Sequence, residues 1–471
     1  MKKLIVEDIT IVSMNPDRDI LEHYSLEVVG NRIVDIYPVK NRQNNGSSDI
    51  HNETKIFNGS GKILFPGFIN THNHLFQTLL KGLGDDLNLA DWLVQMTFPS
   101  SAHLNPEDVY VASMLGCVEG IRCGTTTQLD YMYPHARAGL SDGVLRAFKE
   151  LKIRGILGRG MMDTGAQFGV PQEIMQDLDT IEKDCYRLFD TWHKTENERI
   201  KVWTAPAAIW SNSEDSLKLA WRITNEYNSG FSIHISETPF DREAGKELHG
   251  VYDFDVLEKF GIIGPNVLMV HCVFLTPDDI KKAKKYDLKV SHNATSNMYL
   301  ASGVAPVPAM LKEGLTIGLG VDGAASNNSQ DMIELIKQTA LLQKVFTKNP
   351  TVITAEKVLE MATIDGARAI GEEENLGSIE VGKKADFFIY NPSLSAKSIP
   401  MHHPVSTLVY SGTHVCVETV VIDGNIILEN SVLKTADEYE VLRNGQKTAD
   451  NLAVRAGTDG NKRRKWRSTI D

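Results

Sequence analysis

Cysteine is scarce and shows no pairing pattern. The 471 residues hold five, Cys117, Cys123, Cys185, Cys272 and Cys416, with no C-x-x-C pair among them. An odd, scattered set argues against a disulfide framework and for a reducing compartment. Long apolar runs are missing as well, since no stretch reaches the length of a membrane span. At the N-terminus Leu4-Ile5-Val6 meets Glu7 and Asp8 before an apolar signal core can form. These absences predict a cytoplasmic protein with no membrane partner. Net positive charge is also lacking. Lys and Arg number 49 against 61 Asp and Glu, a formal charge of -12, so a nucleic-acid partner is not expected. The one basic cluster, Lys462–Arg467, reads as a solvated tail or a helix-end anchor.

What is present has the composition of a soluble globular enzyme, 42% apolar and 23% charged. The length predicts one large domain beside a smaller one. Residues 1–62 read as short strands, with a Gly30-Asn31 turn between Leu26–Val29 and Arg32–Ile36. Residues 40–54 read as a polar loop. From residue 63 to about 375 the pattern becomes strand, loop, helix, repeated. Strand ends fall at Phe68–His74, Gly124–Asp130, Arg154–Asp163, Ile200–Pro206, Phe231–Glu237, Val267–His271, Leu288–His292 and Leu315–Asp322. Eight such units predict an α/β fold, a parallel (β/α)8 barrel of the TIM type. Short strands resume over 376–434, and 435–471 reads as a helix with a basic tail. Strands at both chain ends predict one small β domain beside the barrel.

The polar residues fall where such a barrel keeps its chemistry, at the C-terminal ends of the strands. His72 and His74 end the first strand on one face, because side chains alternate along a strand. His234, His271, His292 and Asp322 end the fifth to eighth strands, and Glu237 lies three residues past His234. A lone H-x-H is weak evidence, and a single buried His is more often a hydrogen-bonded core residue. Convergence at five strand ends is much harder to dismiss. Neutral imidazoles with one carboxylate suit a divalent ion such as Zn, Fe or Mn with a position left for water. The ion acidifies that water into a hydroxide nucleophile, and a neighbouring carboxylate relays the proton.

The stretches Pro66–His74, His234–Glu237, Val270–Cys272, Val290–Asn297 and Gly318–Asn328 resemble the amidohydrolase superfamily. More narrowly they are similar to its cyclic-amidine branch, the methylthioadenosine/S-adenosylhomocysteine deaminases and the atrazine chlorohydrolase/melamine deaminase group. The resemblance spans nearly the whole chain. It implies a small β-sandwich built from both chain ends. It implies metal ligands at His72, His74, His234 and Asp322, and catalytic roles for Glu237, His271, His292 and Asp322. It points to Asp91, Trp92, Arg159 and Ser326 as substrate-binding residues. Binuclear relatives carry a lysine at the end of strand four; none lies there in this chain, so one ion is expected, zinc first, with iron or manganese as alternatives.

The implied reaction is hydrolytic deamination of an N-heteroaromatic ring, a purine or adenosine derivative, a pterin or an aminotriazine, releasing ammonia. Asp91 stands where the adenosine-type enzymes carry Glu, and Ala207 follows Pro206 where they carry His, so the ring remains open. The alternative on the same site is an s-triazine chlorohydrolase. A non-catalytic scaffold is more remote, because scaffolds lose ligands that this chain keeps. A homo-oligomer, dimer or higher, is a family-level expectation.

Overall fold

The computed structural model describes residues 2–41, 54–463 and 466. Most of the polar loop expected over 40–54 and most of the basic tail therefore lie outside the described residues.

Eight parallel strands close into a barrel in chain order: Phe68–Asn73, Thr125–Met132, Arg154–Met161, Ile200–Pro206, Phe231–Ile235, Val267–His271, Lys289–His292 and Ile317–Leu319. Closure comes from Leu319 pairing with Asn70. The strands are rich in β-branched and aliphatic residues and are almost wholly buried, as sheets covered on both faces require. Helices start at capping signals legible in the chain. Asn105 caps Pro106–Arg122 in a reciprocal box with Asp108, and Thr276 does the same for Pro277–Lys285 with Asp279. Ala367, Ala369, Ile370 and Leu376 pack with Ile69, Leu129, Ile156, Trp203 and Leu268, filling the end of the barrel opposite the histidines.

Both chain ends build a second, nine-stranded sheet. Its order is Val432–Leu433, Asn425–Glu429, Val417–Ile422, Phe387–Tyr390, Ile63–Pro66, Lys3–Val12, Ile20–Val29 and Arg32–Pro38, with Thr54–Asn58 beside the start of Lys3–Val12. Lys3–Glu7 pairs with Thr54–Asn58, whereas Thr10–Ile11 pairs with Ile63–Leu64. Register shifts between these halves, with Asp8 at φ 54°, mark a bulge. Bulges bend and twist a strand, and the sheet gathers a core of its own around Val6, Ile11, Leu26, Leu64 and Phe387.

The sequence reading opens the barrel at residue 63, but Ile63–Pro66 belongs to the outer sheet, and the crossing to the barrel falls at Gly67. No larger residue fits there: a Cβ on Gly67 would stand 2.0 Å from Thr126 Oγ1. The sheet and barrel are further joined by a buried ion cluster. Arg154 Nε and Nη2 donate to Asp386 Oδ2 and Oδ1 at 2.9 and 3.0 Å, and Nη2 lies 3.4 Å from Asp423 Oδ1. Glu438–Ala456 forms the C-terminal helix and lies against Pro106–Arg122. No described helix is long and apolar enough to cross a membrane.

Candidate active site

At the C-terminal ends of the barrel strands, four side chains meet. His72 Nε2 and His74 Nε2 each stand 3.3 Å from Asp322 Oδ1. The His234 ring centroid lies 4.9 Å from that of His72 and 5.4 Å from that of His74. His72 groups with His74 and Asp322, and also with His234 and His271, at distances that let one ion be shared.

The ring tautomers follow from what each second nitrogen touches. His74 Nδ1 donates to the Tyr131 carbonyl at 2.7 Å, and His234 Nδ1 donates to the Ala207 carbonyl. Both Nε2 atoms therefore keep a free lone pair aimed at the cluster. His271 is the reverse case. Asn297 Nδ2 donates to its Nδ1 at 3.0 Å, so its proton sits on Nε2, 3.4 Å from Glu237 Oε2 and 3.9 Å from Asp322 Oδ2. In that tautomer the Nε2 proton faces the two carboxylates.

Burial holds these imidazoles neutral, with His72 lowered to about 3 and His234 well below its usual value. Burial works against ionising Asp322, but the polar imidazoles of His72, His74 and His271 that face it hold its carboxyl well below the usual range. Glu237 goes the other way. Burial and the nearby Asp322 charge push it up to about 8, against a hydrogen bond from Ser302 Oγ to Oε1 at 2.9 Å. The site thus holds one carboxylate ionised and one protonated near neutrality, a pairing suited to separate base and acid duties.

A divalent ion fits this donor set. Both ring nitrogens of fully buried His72 lack a hydrogen-bond partner, an arrangement that costs free energy unless a cation takes the lone pair. Three imidazoles and one carboxylate are the donors a borderline ion prefers. Lys201, the lysine of strand four, pairs with Glu372, and no lysine lines the cavity among the described residues.

A cavity opens over the cluster, with about 620 Å³ of empty space including its open mouth. His74, His234, Glu237, His271 and Asp322 form its floor; Leu89, Trp92, Leu93, Phe98 and Met162 give it apolar walls. Trp92 is held by its Nε1 donating to the Ala325 carbonyl at 3.0 Å, and Ser326 also lines the space. Three expected residues do not line it. His292 is fully buried with both ring nitrogens unpartnered. Asp91 is exposed and tied to Asn88, whose Nδ2 donates to its Oδ2 at 2.8 Å. Arg159 is fully buried and spent on Asp184 and Gln176, with Nη2 donating at 3.0 and 2.8 Å.

The sequence reading passed over several residues of the site. Gln77 lines the cavity with its Oε1 unpartnered, and Tyr133, Trp210 and Asp241 line it too. Asp253 accepts from Ser236 N and Oγ at 2.6 and 2.8 Å and so fixes the turn that presents Glu237. Only Asp241 had a local signal, the Thr238-Pro-Phe-Asp241 capping box.

A sequence model of the amidohydrolase family matches residues 63–427. The chain belongs to the amidohydrolase family. It is a hydrolase acting on carbon–nitrogen bonds of cyclic amidines. A 5'-deoxyadenosine deaminase of Methanobrevibacter smithii is 39% identical over 406 residues, covering 86% of this chain and 90% of its own. A 5-methylthioadenosine/S-adenosylhomocysteine deaminase of Thermoanaerobacter pseudethanolicus is 35% identical over 452 residues, 96% of this chain and 100% of its own. Among solved structures, an adenosine deaminase from Xanthomonas campestris with bound zinc superposes with TM-score 0.86 at 27% identity, covering 96% of this chain and 99% of that one.

Proposed function

We propose that the protein is a metal-dependent aminohydrolase that replaces the exocyclic amine of an adenosine derivative with oxygen and releases ammonia. The observation that carries this reading is the meeting of an ionised Asp322 and a protonated Glu237 beside three neutral imidazoles in one cavity. The relatives named as deaminases of 5'-deoxyadenosine and of 5-methylthioadenosine or S-adenosylhomocysteine support a purine nucleoside over a triazine.

His72, His74, His234 and Asp322 would hold one ion. Zinc is the proposed metal, supported by the nitrogen-rich ligand set and by the zinc in the Xanthomonas campestris neighbour. When bound, such an ion acidifies a water molecule and so supplies a nucleophile near neutral pH. The remaining steps belong to the chain. His271, with its proton on Nε2, orients the attacking water. Asp322 takes the proton that water gives up. Glu237 donates its proton to the ring nitrogen next to the amine-bearing carbon, so negative charge does not build on the ring. The bond from water oxygen to ring carbon forms, the bond to the exocyclic amine breaks, the proton held by Asp322 leaves with ammonia, and the remaining hydroxyl proton returns to Glu237 as the ring carbonyl forms. Trp92, Leu93, Phe98 and Met162 supply the apolar walls that receive the ring and exclude bulk water.

The test is product release by zinc-loaded protein. Ammonia from 5'-deoxyadenosine, 5-methylthioadenosine or adenosine is the expected result. Ammonia only from pterins or aminotriazines overturns the nucleoside assignment, and chloride from a chlorotriazine without ammonia from any amine overturns the deaminase reading.

A further inference from the structure

Four carboxamide side chains are buried beside the first barrel strand: Asn70, Asn73, Gln128 and Gln330, each at 1% exposure or less. None lines the cavity. Asn73 lies between His72 and His74 in the chain, and alternation along the strand turns its side chain to the opposite face. There it forms a closed pair with Gln330. Asn73 Nδ2 donates to Gln330 Oε1 at 2.5 Å, and Gln330 Nε2 donates back to Asn73 Oδ1 at 3.1 Å. Gln330 Nε2 also lies 3.4 Å from the main-chain carbonyl of Asp322.

The rest of the cluster fixes the same loop. Gln128 Oε1 accepts from Asn70 and Asn73 at 2.7 and 3.2 Å, and Asn70 Oδ1 accepts from the Val321 N–H at 3.0 Å. Gln330 is anchored in turn, its N–H donating to Glu119 Oε1 at 2.8 Å. Asp322 sits at φ 66°, a left-handed backbone that non-glycine residues hold only when their surroundings impose it. Asn70 on the Val321 N–H and Gln330 beside the Asp322 carbonyl bracket that backbone on both sides. Apolar side chains of the same size would fill this space with no buried amide to satisfy, whereas each unmet amide costs free energy. What the amides add is direction.

We propose that Gln330, acting with Asn73, is a positioning residue for the metal centre, locking the Asp322 backbone so that its carboxylate meets His72 and His74 around one shared ion. The proposal rests on the reading of these residues as a cation site and is independent of which ring is hydrolysed.

The experiment is zinc affinity of the metal-stripped protein by chelator competition, with the apo melting temperature measured alongside, for wild type, Asn73→Ala, Gln330→Met and the double variant. Each single variant is expected to lose about tenfold in zinc affinity, the scale on which partners outside the ligand shell act. The double variant is expected to lose no more than the worse single one, because the two amides work as a unit. Gln330→Glu keeps the volume and removes both donors; it takes the place of Gln330→Met should that chain fail to fold, with the same loss expected. Zinc affinity within about twofold of wild type in the folded variant, or fully additive losses, overturns the proposal whatever the melting temperature does. Wild-type protein that binds no zinc, iron or manganese overturns the cation-site reading itself, which is a separate result.

Discussion

Asn297 Nδ2 donates to His271 Nδ1 at 3.0 Å, and this contact sets the chemistry of the opposite ring nitrogen. It keeps the proton on Nε2, where a metal ligand needs a lone pair. Removing the donor in Asn297→Leu frees the ring to change tautomer. Turnover should fall by roughly 10–100-fold with the metal content unchanged by elemental analysis. Loss of metal in step with turnover would place His271 among the ligands instead.

Glu237→Gln removes a proton donor and leaves the imidazole cluster untouched. The variant should keep its metal and lose on the order of 10²–10⁴ in kcat. The pH profile carries a second signature. Glu237 must be protonated to act, its carboxyl is raised to about 8, and a nearby dication draws it down from there. Wild-type kcat should therefore decline with rising pH through a limb at or below about 8. An identical limb in residual Glu237→Gln activity would assign it to another group.

Ser302→Ala tests the tuning of that acid. The Ser302 hydroxyl donates to Glu237 Oε1 and so favours the ionised form. Without it the Glu237 pKa rises, and the alkaline limb of the kcat profile should move to higher pH. A shift in the opposite direction would contradict the donor assignment.

His234→Ala deletes one ligand and should abolish stoichiometric metal binding and turnover together, read by elemental analysis and by the ammonia assay. Turnover that persists without metal would remove the metal from the reaction altogether.

Asp386→Ala acts far from the chemistry. It leaves the Arg154 guanidinium buried beside Asp423 alone, and breaking a buried pair on one side costs about 3–5 kcal/mol. The melting temperature should drop, while KM of the surviving folded protein stays near wild type.

The barrel was legible because most of its strands carry a local apolar run, and because His72 with His74, His234, His271 and Asp322 fall at or just past the ends of four of them. Local patterning says nothing about which sheet a strand joins. Ile63–Pro66 and Phe68–Asn73 read as one run, and only the tight approach of Thr126 at Gly67 divides them. The supporting residues were out of reach for a related reason. Gln330 meets Asn73, Ser302 meets Glu237 and Asp253 meets Ser236 across 257, 65 and 17 positions, with no periodic signal to join them. Resemblance carried Arg159 toward the substrate, whereas Asp184 and Gln176 hold it inside the protein.

Ile63–Pro66 has one neighbour at Thr10–Ile11 and the other at Phe387–Tyr390. During synthesis the first neighbour exists almost at once, and the second only after more than 300 further residues have been added. The strand that bears His72 and leads to His74 begins after one intervening residue, Gly67. The sheet strand just before those histidines therefore has both of its neighbours only once residues 387–390 have been added. Both ends of the chain are thus needed to complete the sheet that abuts the strand leading to the first site histidines.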